Sequence, residues 1–281
     1  MANRTWIILD VHYLCWRAFY TTGHLSFREV KTGVIYGVMR DIFDLHELFH
    51  TTSIAFCFDS RKSKRKELFP KYKAKRHGAA KDDEEVDEAL IQTKLELVNQ
   101  IENLRLNYLP RMGYKNIFCS PGYESDDIMA SIAMNAKSSD DIFLITADND
   151  MLQCLDDNVS IYNPHTKKTT TVMSFMKEWK VNPSKWPVVK CIAGCKTDEV
   201  PGVKGVGEKT AVKFIRNELK QTTKAYRAIV SQNGKTIRRR NAALVTLPFE
   251  GTPLYELWDD KLSKEGWREV AQELGIKSLK P

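Results

Sequence analysis

Five short, mostly apolar runs in the first 163 residues constrain this chain more than any other feature. WIILD (6–10), IAFCFD (54–59), NIFC (116–119), IFLIT (142–146) and VSIYN (159–163) read as strands. Their near-continuous hydrophobicity is that of strands covered on both faces. Helical patterns separate them, over roughly 35–49, 84–106 and 125–137. In the second of these Val86, Leu90, Leu97, Ile101 and Leu104 follow helical spacing. The alternation predicts an α/β fold, a mostly parallel central sheet with helices on both faces. After about residue 180 the strand signals stop and the rest reads as mainly helical, with turns at Pro201-Gly202 and Asn233-Gly234. A soft boundary at 175–185 divides the chain into an α/β core (1–180) and a helical subdomain (181–281).

With 281 residues and 42% hydrophobic content the chain can bury a sizeable core. No run approaches a membrane span, and the apolar run in MANRTWIILD is too short for a signal peptide, so a cytoplasmic protein with no membrane partner is expected. The six cysteines form no CxxC pair, which favours reduced, buried thiols over a zinc site. The net charge of +7 is unevenly spread. RKSKRKELFPKYKAKR (61–76) carries nine Lys or Arg and one Glu, DDEEVDE (82–88) is acidic, and KTIRRR (235–240) is basic again. One basic run reads equally well as a solvated surface; two point towards nucleic acid.

The carboxylates sharpen this reading. Asp10 and Asp59 end strands; Glu124, Asp126 and Asp127 open the helix after NIFC; Asp148 and Asp150 follow IFLIT. Ligands of open α/β sheets bind beyond the carboxyl ends of the strands, so parallel pairing would bring these acids to one rim. Each has a blander reading, as a helix cap, a turn former or the partner of a nearby Arg. Taken together, crowded carboxylates need cations between them, and oxygen-only ligands favour Mg²⁺ or Mn²⁺. The absence of HExxH, and of His among these acids, disfavours a zinc hydrolase. Beside a basic segment, such a site suits phosphodiester chemistry, where two ions hold the attacking and leaving oxygens.

GCKTDEVPGVKGVGEKTA (194–211) resembles a phosphate cradle, but Glu208 interrupts the Walker A spacing and Pro201 stands where a strand should lead in. A nucleotide hydrolase is therefore disfavoured. The alternative use is a hairpin between two helices that grips the backbone of duplex DNA.

With these residues in hand, the chain resembles the 5′-nuclease superfamily, which includes the 5′→3′ exonuclease domain of bacterial DNA polymerase I and bacteriophage flap endonucleases. The resemblance runs from about residue 6 to 216. It rests on LDVHYLCWRAFY, GVIYGV, FDSRKSKRKELFPKYKAKR, GYESDDIMASIA, ITADNDMLQCL and GCKTDEVPGVKGVGEKTA, in that order. It implies a PIN-like core, a basic helical arch at about 61–106, and a helix–three-turn–helix at about 187–217. It implies a first metal at Glu124, Asp126 and Asp148, supported by Asp10, Asp59 and Asp127, and a second at Asp150 and Asp198. Lys73 would be the catalytic lysine, with Arg76 close by and Arg17 near the scissile phosphate. Arg61, Lys64, Arg65 and Tyr72 would meet DNA at the arch. Gly205, Gly207, Lys209 and Thr210 would hold the duplex, with K⁺ often bound there in the family. The implied cofactors are two Mg²⁺ (or Mn²⁺). The implied substrate is DNA with a 5′ flap, nick or single-stranded 5′ end beside duplex, extending to RNA primers in RNA–DNA hybrid, acted on by a monomer.

One departure stands out: the family has Asp at both ends of the GDxxD pair, and this chain has Cys195 and Asp198. A neutral thiol is a poor ligand for Mg²⁺, so a weaker second site is expected. A non-catalytic DNA-junction-binding homologue is the alternative that Cys195 raises.

Overall fold

The structure, a computed structural model, describes residues 4–74 and 88–280. Arg76 and most of the acidic run lie outside the described residues. The strands are β1 (Thr5–Asp10), β2 (Ser26–Phe27), β3 (Val30–Lys31), β4 (Ile54–Cys57), β5 (Ile117–Phe118), β6 (Asp141–Ile145), β7 (Val159–Asn163), β8 (Lys168–Thr170), β9 (Gly194–Cys195) and β10 (Val200–Pro201). Six form one sheet in the order β5-β4-β1-β6-β7-β8. Every pair in it is parallel except β7–β8. All five strands read from the sequence are present, and β1 lies at the centre, with Leu9 level with Phe56 on one side and Ile145 on the other.

Alternation along β1 divides the interior. Ile7 and Leu9 point into one apolar cluster and Trp6 and Ile8 into the other, all almost fully buried. Helices α1 (Val11–Thr22), α2 (Gly33–Phe49) and α4 (Glu88–Asn103) cover the first face. Helix α4 continues through a π-helical turn, Leu104–Tyr108, into the short α5 (Leu109–Arg111). Helices α6 (Ser125–Asn135), α7 (Val172–Trp179) and α8 (Trp186–Ala193) supply the second face through Ile128, Phe175 and Trp186. Helix α3 (Lys64–Leu68) sits beyond the end of β4.

Beyond residue 180 the chain is mainly helical: α9 (Glu208–Ile215), α10 (Lys224–Val230), α11 (Gln232–Val245) and α12 (Lys264–Glu273) follow α8. Yet it packs without a seam against the sheet. Trp186, Val189 and Ile192 of α8 share a core with Trp6 and Ile8, and Trp267 of α12 enters the other core edge-on to Phe43, with ring centroids 4.8 Å apart. Between α11 and α12 an extended segment runs along the β5 edge. The Asp260 carboxylate accepts the backbone N–H groups of Lys115 (2.6 Å) and Asn116 (3.1 Å), and Tyr255 packs on Phe118. The two expected units therefore share their cores. Replacing the buried Trp267 by Ala is expected to cost about 3–5 kcal/mol, read as a lower midpoint in urea denaturation; an unchanged midpoint would mean α12 contributes nothing to the core.

Candidate active site

The carboxyl ends of β1, β4 and β6 meet at a cavity of about 670 Å³ whose wall includes Asp10, His12, Asp59, Lys73, Asp126, Asp148, Asp150, Lys190 and Cys195. Local structure explains how each acid arrives. Asp10 ends β1 and caps α1, accepting Tyr13 N–H at 3.1 Å. Asp148 follows β6 and accepts Asp150 N–H at 2.7 Å at the start of the 3-10 turn Asn149–Cys154. Asp59 follows β4 and accepts Ser125 N–H at 2.7 Å. The capping and functional readings thus hold together, because a carboxylate that accepts one backbone N–H keeps further lone pairs for another partner.

The electrostatics follow from crowding. Burial, then the charge of Asp59, raises the pKa of Asp10 despite the Tyr13 N–H. Asp126 is raised well above the usual carboxylate range by burial, which Lys73 opposes and Glu124, Asp148 and Asp127 reinforce. Asp148 is pushed up to about 6 by burial and by Asp150. Asp59 runs the other way: burial would raise it, but the His12 ring, the Lys73 ammonium and the Ser125 hydrogen bonds hold it below its ordinary value.

Two ammonium groups answer part of this charge. Lys73 Nζ donates to Glu124 at 2.6 Å and lies 3.9 Å from Asp198. Its backbone has φ +50°, strained for a residue with a side chain, and is tied by its N–H to the Asp198 carbonyl at 2.9 Å. Lys190 lies 2.8 Å from Asp150 and 3.0 Å from Glu208. Burial opposes its charge, but Asp150 and Glu208 raise its pKa above the ordinary value. Lys190 was not legible as a site residue, although a lysine inside the apolar run VVKCIA was a signal. His12 was missed as well: its Nδ1 accepts Asp59 N–H at 3.0 Å, so a histidine does stand among the acids.

Not every expected residue faces the cavity. Asp127 is fully buried and accepts from the two terminal nitrogens of the Arg65 guanidinium, at 2.6 and 2.7 Å, and from Phe249 N–H at 2.8 Å. Its oxygens are committed, so it supports the site through Arg65 and not as a metal ligand. Arg65, expected at the DNA, is itself 2% exposed and also donates to the Leu244 carbonyl at 2.9 Å. Tyr72 is equally buried, and its hydroxyl donates to Glu124 at 2.9 Å and Asp198 at 3.4 Å, which removes it from any DNA surface. Arg17 lies off the cavity wall, ion-paired to Asp41 of α2, which also holds Arg40. Arg61 is exposed and pairs with Glu102 at 2.6 Å; Lys64 lies over the Tyr123 ring, 3.9 Å from its centroid.

Asp150, Cys195 and Asp198 place one ligand atom each within 4.8 Å of one another. Helix α8, the β9–β10 hairpin and α9 build this corner. Cys195 pairs with Val200 in the hairpin and Asp198 lies in its turn. Burial, then Asp150 and Asp198, pushes the Cys195 thiol up to about 12, and Sγ lies 2.9 Å from Thr197 Oγ1. A protonated thiol beside an ammonium suits a hard cation less well than the oxygen cluster around Asp126. Further along, Gly205 has φ +76° and a Cβ added there would meet nothing within 4 Å; a Cβ on Gly207 would be equally free. Lys209 is exposed and Thr210 half-buried beside this open backbone.

Comparison with known proteins accords with this geometry. The 5′-3′ exonuclease N-terminal resolvase-like domain matches residues 5–182. A 5′-3′ exonuclease of Bacillus subtilis is 32% identical over 231 residues, covering 77% of this chain and 71% of the relative. The chain belongs to this 5′-3′ exonuclease family. A 5′-3′ exonuclease of Aquifex aeolicus is 27% identical and covers 98% of this chain and 94% of the relative. The bacteriophage T5 D15 protein co-crystallized with metal ions shares the fold, with TM-score 0.68 and 22% identity over 87% of this chain and 90% of that one. This exonuclease-family chain has no helix, among its described residues, long and apolar enough to cross a membrane.

Two consequences can be measured. Removing Arg65 as Arg65→Ala strands the Asp127 charge, at an expected cost of about 3–5 kcal/mol in chemical denaturation; a loss under about 1 kcal/mol would mean that the pair does not organise the site. Asp148, with a folded pKa above its unfolded value, binds more protons folded than unfolded between those values, so its contribution to stability falls as pH rises through that window to about 6. Asp148→Asn should therefore melt above the parent protein at pH 7.5 in EDTA, and the gain should vanish near pH 3.5.

Proposed function

We propose that the chain is a structure-specific 5′ nuclease that hydrolyses phosphodiester bonds of DNA. The observation that carries this is the gathering of Asp10, Asp59, Asp126, Asp148 and Asp150 around one cavity with Lys73 on its wall. The names of its relatives support it, as do structural neighbours solved with DNA and metal ions, among them a bacteriophage T5 D15 flap endonuclease.

The donor set fits hard divalent cations. Asp10, Asp59, Glu124, Asp126 and Asp148 would hold Mg²⁺ or Mn²⁺, and the raised affinity for protons at three of them is the charge excess that such an ion relieves. When bound, these ions supply Lewis acidity and charge neutralisation at the reacting phosphate. Asp150 and Asp198 with Cys195 would form a weaker second site.

The chain's own residues supply the remainder. Lys73, once drawn from Glu124 to a bound phosphate, would offset charge developing there. Backbone at Gly205 and Gly207, bare of side chains, leaves room for a phosphate to approach, with Lys209 and Thr210 beside it, and K⁺ would sit at this hairpin. Contacts of this type recognise backbone and shape, not base sequence, which suits a 5′ flap, a nick or a 5′ single-stranded end beside duplex, in DNA or RNA–DNA hybrid, bound by one copy of the chain. Retention of all five cavity acids and Lys73 argues against a purely binding homologue.

A 5′-labelled flap DNA incubated with Mg²⁺ should be cut, and Lys73→Ala should slow cutting by about 10²–10³-fold with unchanged circular dichroism. Failure of the parent protein to cut flap, nicked or 5′-overhang DNA with any divalent ion would end this reading.

A further inference from the structure

We propose that His12 binds the substrate directly, presenting Nε2–H to a phosphate oxygen of the nucleic acid in the acid cavity; this rests on the nuclease reading above. His12 is the second residue of α1 and forms part of the cavity wall. Its Nδ1 accepts Asp59 N–H at 3.0 Å. A backbone N–H can only donate, so Nδ1 accepts through its lone pair and the ring presents its N–H at Nε2. The ring packs edge-on to Phe58, centroids 6.0 Å apart and planes at 82°. Two contacts therefore fix its plane and tautomer. Among the described residues Nε2 has no hydrogen-bond partner, and the side chain is 24% exposed.

An anion entering this cavity meets carboxylates that can only accept. The two ammonium groups on its wall start out paired, Lys73 with Glu124 and Lys190 with Asp150, and must leave a carboxylate to meet the anion. A pre-oriented N–H donor meets a phosphate without competing with divalent cations for the same carboxylates. This is the chemistry that a histidine held by a backbone N–H provides and a lysine at the same position would not.

The test separates a substrate contact from mere support of Asp59. His12→Asn keeps an acceptor within reach of Asp59 N–H and removes the distal donor; His12→Phe removes both. Affinity for 5′-flap DNA is measured by fluorescence anisotropy in Ca²⁺, and single-turnover cutting in Mg²⁺. The Asn variant should keep the parent melting temperature yet lose roughly 10-fold or more in affinity and rate, as for a hydrogen bond to a charged group. Asn performing as well as His would overturn the proposal. Nitrogen-15 spectra of the unmodified protein give a second readout that needs no variant. The His12 signals should report the Nε2–H tautomer and shift when flap DNA is added in Ca²⁺; the other tautomer, or no shift, overturns it. If the parent protein neither binds nor cuts flap DNA, the nuclease reading fails and this inference with it. If the parent cuts normally and Asn matches it, this inference fails alone.

Discussion

Carboxylates gathered in a partly buried rim repel one another, and the other features of this site are arranged around that repulsion. Three basic side chains each pair with one acid: Arg65 closes on Asp127, Lys73 on Glu124 and Lys190 on Asp150. The acids whose affinity for protons stays raised are Asp10, Asp126 and Asp148. The internal cations thus offset part of the charge, and the excess left on these three acids answers to an ion from without.

The same side chains also build the scaffold. Asp10 and Asp148 terminate one element and start the next by accepting backbone N–H groups. Charge at the rim is therefore fixed by the folding of the strand–helix junctions themselves. A site made this way gains rigidity from secondary structure and needs no separate loop to position it.

Much of this was legible in the sequence. Continuous apolar runs gave the strands, and acids at their ends gave the rim, because both signals are local. What was not legible depended on direction and on distant contacts. Asp126 and Asp127 are neighbours in sequence, yet about 100° of helical rotation turns one to the cavity and the other to Arg65. Arg65 reads as one more cation in a basic run, and only its contacts with Asp127 and the Leu244 carbonyl, 62 and 179 residues away, withdraw it from the surface. Tyr72 was misplaced for the same reason. His12 and Lys190 carried weak signals: one stands two residues after an acid, the other interrupts an apolar stretch. The segment after α11 lacks any periodicity because it runs extended along the sheet edge.

The contacts of Arg65 and Asp127 with residues 244–249 bear on the order in which the protein can mature. Synthesis proceeds from the amino end, so every cavity carboxylate leaves the ribosome before Leu244, Thr246 and Phe249 exist to satisfy the buried pair. A nascent chain that already carries the whole acid set still lacks the backbone groups that lock it. Full satisfaction of the pair behind the rim thereby waits on the end of α11 and the residues that follow it.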